Sequence, residues 1–257
     1  MKTTYEILNS VYDFCKIREK EQWDELLEKN IEPERFKFLT NYISELGIPF
    51  NVDKWAYSYK GTFWDYEYNF RNIVMPGESN VYFMAHYDVW NIKSDNANDN
   101  SASVFNLIAL KSICPRANVV LVDGEEPAFF GKGSTRLAEN LINTKYSKIK
   151  VINLDITGIG KDILVSNYSN GELSRNFVNI VDATVYSFPF NDAISFKTVN
   201  PNIECECVVL ANKTENGIDT RHFGDIHSSR DSVDKLEINN MHNLVTKLET
   251  IYKMYDK

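Results

Sequence analysis

Three short apolar runs in this chain each end on groups that bind cations. Val81–Ala85 (VYFMA) leads into His86 and Asp88, Asn118–Val122 (NVVLV) into Asp123, Gly124, Glu125 and Glu126, and Lys150–Leu154 (KVINL) into Asp155. Short, continuous, β-branched-rich runs bounded by polar residues read as strands buried on both faces. After the first run a polar loop presents Asp99 just ahead of Ala102–Ile113, which is apolar nearly all round and is predicted to be a helix buried against the sheet. Strand ends followed by a loop and a helix start are where an open α/β sheet builds a site. The expected fold is therefore α/β: a mixed, largely parallel β-sheet with helices on both faces and antiparallel edge strands.

With 257 residues, 43% of them hydrophobic, the chain has the material for one large core. Residues 1–257 are expected to form a single domain, with residues 1–48 as N-terminal helices packed on it. The net charge of -8 comes without a basic cluster, which argues against nucleic acid and anionic membranes as partners and suits a positively charged small substrate. The first twenty residues have no apolar segment with a cleavage pattern, and no stretch approaches the ~18 apolar residues of a membrane span, so a cytoplasmic location is expected. Cys15 and Cys114 stand alone among apolar neighbours, and Cys205 and Cys207 alternate along a probable strand. All four read as buried free thiols, because no paired C-x-x-C occurs.

Around these runs, the period of the apolar residues assigns the remaining elements. Residues 3–47 read as helical, with Phe36, Leu39, Ile43 and Leu46 at helical spacing and Gly47 and Pro49 as the stop. From Trp55 to Phe70 the period is two, on either side of Lys60-Gly61-Thr62, which predicts a hairpin with cross-strand aromatic packing. Asn72–Met75, the turn Pro76–Ser79 and Val81–Ala85 read as a second hairpin. Further helices are expected at Ser134–Ile142, Leu173–Val185 and, long and amphipathic, from Ile238 to Tyr255, with strands at Ile163–Ser166 and Cys205–Leu210.

Taken singly, the polar fragments say little: a His-x-Asp pair, two adjacent glutamates or one aspartate after a strand are common. Together they put several carboxylates at one sheet edge, where they would raise one another's pKa values unless cations neutralise them. The loop Ser94–Asn100 lacks a calcium register, because Ala97 falls on a ligand position. Histidine and carboxylate without thiolate suit zinc, with manganese or cobalt as substitutes.

HYD at 86–88, NDNSAS at 98–103, DGEE at 123–126, NLD at 153–155 and HSSRDSVDKL at 227–236 resemble, in order, the five metal-site motifs of the co-catalytic zinc aminopeptidases, which share a superfamily with the glutaminyl cyclases. The resemblance runs from about Val81 to the C-terminus. It implies two zinc ions: His86, Asp155 and Asp99 as ligands of one, and Glu126, His227 and the same Asp99 as ligands of the other. It also implies Glu125 as general base and Asp88 as the carboxylate that orients His86, while His222 and His242 are not ligands. A cis peptide after Asp99 belongs to the same pattern. The implied activity is removal of the N-terminal residue from a peptide with a free amine. A one-zinc cyclase and a metal-binding relative without turnover are the alternatives, and the oligomeric state is open. Several positions depart from the pattern: Ser103 stands where the helix opening commonly has glycine, Pro127 directly follows Glu126, and in the segment from Asn191 to Val209, which resembles a pocket-forming loop of relatives, Ala193 replaces the histidine of Ser-Asp-His and Asn202 lies near the Gly-Ile-Pro position.

Overall fold

The computed structural model describes residues 2–17, 32–60, 65–89, 94–126, 131–142, 149–188 and 191–256. Short helices α1 (Thr4–Asn9) and α2 (Val11–Cys15) and the longer α3 (Glu34–Glu45) precede the first strands. Thr3 and Glu6 form a reciprocal capping box at α1, satisfying two N–H groups that a helix start leaves open. The expectation of helix throughout 3–47 thus resolves, among the described residues, into three pieces; its part at 18–31 lies outside them, as do the Gly61-Thr62 turn with Trp64 and the departure at Pro127.

One sheet organises the rest. Its strands are β1 (Asn51–Lys60), β2 (Asp65–Met75), β3 (Val81–His86), β4 (Asn118–Val122), β5 (Lys150–Leu154), β6 (Asp162–Val165), β7 (Thr184–Val185) and β8 (Glu204–Thr214), in the order β1-β2-β4-β3-β5-β8-β6-β7, with β9 (Gly217–Asp219) paired to β8. The centre, β4-β3-β5-β8, is parallel; β1, β2 and β6 add antiparallel pairings outside it. Helix α4 (Ala102–Ile113) carries the chain from β3 to one neighbour, β4, and α5 (Lys132–Ile142) carries it on to the other, β5. The chain direction therefore switches at β3, and a crevice opens beyond its C-terminal end, where α/β sheets bind ligands.

Side-chain alternation along the strands divides the core in two. Phe83, Ala85, Val119, Leu121, Ile152 and Leu154 pack with α1–α4 and the closing helix α8 (Ile238–Tyr255), whereas Met84, Val120, Val122 and Val151 pack with α5 and α7 (Asp192–Val199). Helices thus cover both faces, as the uniformly apolar strands require. Cys205 and Cys207 lie on the second face, and all four cysteines are buried and unpaired. No described helix is long and apolar enough to cross a membrane.

Three expectations need correction. Asn72–Met75 and Val81–Ala85 do not pair as a hairpin, because β4 lies between them. The turn that joins them spends its polar groups on the segment entering β4: Gly77 N–H donates to Asn118 Oδ1, Glu78 and Ser79 N–H donate to the Arg116 carbonyl, and Asn118 Nδ2 donates back to the Ser79 carbonyl. A Cβ on Gly77 would meet that same Arg116 carbonyl, so only glycine permits this approach. Helix α6 (Glu172–Val181) stops short of Val185 because Asp182 takes a left-handed conformation (φ 58°) and turns the chain into β7. Helix α7 occupies part of the segment whose resemblance implies a loop. Asn191 caps it, its side-chain oxygen accepting the N–H groups of Ala193 and Ile194.

Candidate metal centre

Strand β3 ends on His86, which is buried with a carboxylate facing each ring nitrogen. Nδ1 lies 3.5 Å from Asp88 Oδ1, and Nε2 lies 3.1 Å from Asp99 Oδ1. Asp88 also accepts the backbone N–H groups of Glu125 (3.2 Å) and Glu126 (3.0 Å), so the end of β3 is fastened to the end of β4.

Asp99 sits in a wide turn, Ala97–Ser101, that opens α4, and the peptide bond between Asp99 and Asn100 is cis, as the motif implied. Every flank of this turn is anchored. Asp231 accepts the N–H groups of Asn98 (2.8 Å) and Asp99 (3.1 Å), Asn98 Oδ1 accepts the N–H of Gly158, and Asn100 Nδ2 donates to the Leu154 carbonyl. Ser103, at the position where relatives have glycine, bonds Thr157 Oγ1 at 2.7 Å; its hydroxyl has a partner there, so serine fits.

The second carboxylate oxygen of Asp99 faces another histidine. His227 Nε2 lies 3.1 Å from Asp99 Oδ2 and 3.4 Å from Glu126 Oε2. Ligand atoms of His86, Asp99 and Glu126 come within 4.8 Å of one another. Asp155, at the end of β5, lies outside that group but interacts electrostatically with Asp99, His86 and Glu126. All seven residues singled out by the motifs, His86, Asp88, Asp99, Glu125, Glu126, Asp155 and His227, therefore converge at the crevice beyond β3. His222 is turned to the Leu210 carbonyl and His242 stacks on Tyr5, away from it.

The electrostatics are those of a cation site. Burial pushes the carboxyls of Glu125, Glu126 and Asp155 well above the usual range, with neighbouring acids adding to it. Burial alone would raise Asp99 too, but hydrogen bonds from His227 and His86 hold it below the carboxylate range. The hydrogen bond to Asp99, with the Glu126 carboxylate close by, pushes His227 up to about 10. Neither Glu126 oxygen has a good hydrogen-bond partner although both are buried, a costly arrangement for protein alone. Divalent cations would satisfy these oxygens and replace the shared protons, and the histidine and carboxylate donors fit zinc.

Two further acids belong to the site and were not singled out from sequence. Asp231 holds the Asp99 turn from the His227 segment, as described above. Asp192, in the first turn of α7, is fully buried, has no hydrogen-bond partner on either oxygen, and is pushed up to about 6 by burial; it interacts electrostatically with His86, Glu125 and Asp155. The only available signal was the Asn-Asp start of α7, hidden because that segment read as a loop. Ala193 beside it is a core residue. Next to Asp155 opens a cavity of about 220 Å³ lined by Ile156, Phe188, Asn191, Val209, Phe223 and Ile226.

The sequence profile of peptidase family M28 matches residues 72–248. No curated protein matches the chain in sequence. Among solved structures, the fold is similar to a glutaminyl cyclase from Porphyromonas gingivalis (TM-score 0.72, 16% identity, 98% of this chain and 97% of that one). It is also similar to a Zn-dependent exopeptidase from Parabacteroides distasonis (TM-score 0.68, 15% identity, 97% of each chain) and to the LapA aminopeptidase of Legionella pneumophila (TM-score 0.67, 12% identity, 99% and 72%).

Proposed function

Because the chain belongs to peptidase family M28, we propose that it is a zinc-dependent aminopeptidase that holds two ions and cleaves the first residue from peptides with a free N-terminus. The observation that carries this reading is the placement of Asp99, each of whose oxygens lies 3.1 Å from the Nε2 of a different histidine. A carboxylate so divided suits two cations, one shared with His86 and Asp155 and one with Glu126 and His227. A single ion would leave one histidine idle.

Zinc held by these residues would supply Lewis acidity toward a carbonyl oxygen and toward water, whose pKa zinc sites lower to about 7. The remaining tasks fall to the chain. Asp88 fixes the His86 ring through Nδ1 so that Nε2 faces Asp99. Glu125 is not needed as a ligand, and it stands beside Glu126 and His86, among the residues that would hold the ions. It takes the proton of the attacking water and returns it to the departing amine. Asp192, buried beside Glu125, adds negative charge that favours the substrate's ammonium.

The cavity beside Asp155 favours hydrolysis over cyclisation of glutamine. Its lining is mostly apolar, and the polar Asn191 has already spent its amide, the oxygen on the N–H groups of Ala193 and Ile194 and the nitrogen on Tyr168 Oη. A glutamine side chain would find few partners there, whereas an aliphatic one needs none.

Metal content and turnover test the proposal together. Zinc titration should saturate near two equivalents, with amino acids released from peptides and none released after N-acetylation. Saturation at one equivalent, with N-terminal glutamine cyclised and nothing released, would replace this reading with a cyclase. Two equivalents without turnover on any peptide would leave a binding role.

A further inference from the structure

Arg35 lies outside the segment that matches the family, on helix α3, yet its guanidinium is buried at the edge of the candidate metal centre, 1% exposed. Nε donates to the Tyr87 carbonyl and Nη2 to Ser101 Oγ, both at 2.8 Å. Tyr87 stands between His86 and Asp88; Ser101 is two residues beyond Asp99. Ser101 passes the link on, donating to the Asn96 carbonyl at 2.6 Å across the turn that holds Asp99. The guanidinium lies over the Phe14 ring, 3.8 Å from its centroid, which seats it between α2 and the site.

Burying a guanidinium is costly unless its donors are used, and an apolar residue at position 35 would serve packing alone. Two donors on one rigid edge fix the distance between two acceptors, a task a point charge cannot perform. The two acceptors here belong to the two segments that bring His86 Nε2 and Asp99 Oδ1 together at 3.1 Å. We propose that Arg35 is a positioning residue for the metal centre, a clamp from the N-terminal helices that sets the separation of His86 and Asp99 and so the affinity for the ion they share. This inference rests on the metal-centre reading above.

The test compares zinc and cobalt binding in Arg35→Lys, which keeps the charge and loses the fork, and in Ser101→Ala, which keeps the arginine and loses one acceptor. Competition with a chromophoric chelator should show the ion held by His86 and Asp99 bound about 10-fold more weakly in each, the lower end of the effect of groups that orient ligands. The second ion should be affected less, and the double variant should lose no more than the worse single variant, because both sit on one link. The visible spectrum of the first cobalt equivalent should change in band position or intensity, a readout that loss of stability alone would not move. Wild-type affinity and spectrum in both variants, or equal losses at both ions that add in the double variant, would overturn the clamp. Should Arg35→Lys fail to fold by circular dichroism, Ser101→Ala decides by itself. A wild-type chain that takes up no metal would overturn the metal centre and the clamp together, whereas metal uptake indifferent to both substitutions would overturn the clamp alone.

Discussion

Asp88 Oδ2 accepts the backbone N–H of Glu126 at 3.0 Å, while its other oxygen faces the His86 ring and the Glu125 N–H. One buried carboxylate thus aligns residues assigned to both ions. Asp88→Asn keeps the size but replaces one acceptor with a donor that cannot satisfy those N–H groups. Zinc affinity is expected to fall about 10- to 100-fold, with both equivalents weakened, as measured by chelator competition. Unchanged affinity would mean that Asp88 does not orient the site.

Glu125→Gln removes a proton carrier while leaving the proposed ligands in place. The variant should bind zinc as the parent does and lose about 10²- to 10⁴-fold in kcat, the usual worth of a positioned acid or base. Steady-state kinetics on an unblocked peptide checks this, and near-parental turnover would exclude Glu125 from the proton transfer.

The effect of zinc on stability should grow with pH. In the metal-free chain, His227 is held protonated up to about 10, chiefly by its hydrogen bond to Asp99, and burial pushes the carboxyls of Asp155 and Glu126 upward. Each has a folded pKa above its unfolded value, roughly 4 for the acids and about 6.5 for histidine. Their stabilising contribution is complete below the unfolded value and is lost as pH climbs through the folded one. Asp99 acts in the opposite sense, but its window lies in acid, below the ordinary carboxylate range. Between about pH 5 and 10, therefore, the metal-free Tm should fall as pH rises, and zinc, which binds the deprotonated ligands, should raise Tm more at higher pH. Melting curves with chelator and with zinc at about pH 5.5, 7 and 8.5 would contradict this if the gap stayed constant or narrowed.

Phe223 forms one wall of the cavity beside Asp155 and is only partly buried. Phe223→Ala should enlarge that space without opening the core. The ratio of kcat/KM for phenylalanyl over leucyl substrates is expected to rise about 10-fold, within the range that pocket volume commands. An unchanged ratio would place the substrate side chain elsewhere.

What could be seen in the sequence was whatever is local. Apolar runs ending on His86 and Asp88, on Glu125–Glu126 and on Asp155 mark three central strands and five of the candidate site's carboxylates and imidazoles, because burial on both faces leaves an uninterrupted pattern. Helices α4 and α8 carried equally plain signals. Contacts decided by distant segments could not be seen. The pairing of β2 with β4 depends on Arg116 and Asn118 binding a turn some 40 residues earlier in the chain. Asp192 looked like a loop residue because α7 is short and its cap, Asn191, is also an ordinary turn former. Arg35 read as one polar residue in a packing helix; only the fold reveals that Tyr87 and Ser101 lie within its reach.

The insertion of β4 between β2 and β3 also carries a consequence for how the chain is made. Strand β2 ends at Met75, but β4, its pairing partner besides β1, is complete only at Val122. On a ribosome adding 5 to 20 residues per second, the hairpin would therefore wait about 2 to 10 seconds with that edge open. During that interval, the backbone of Ile73, Val74 and Met75 is the surface a nascent-chain chaperone would have to shield.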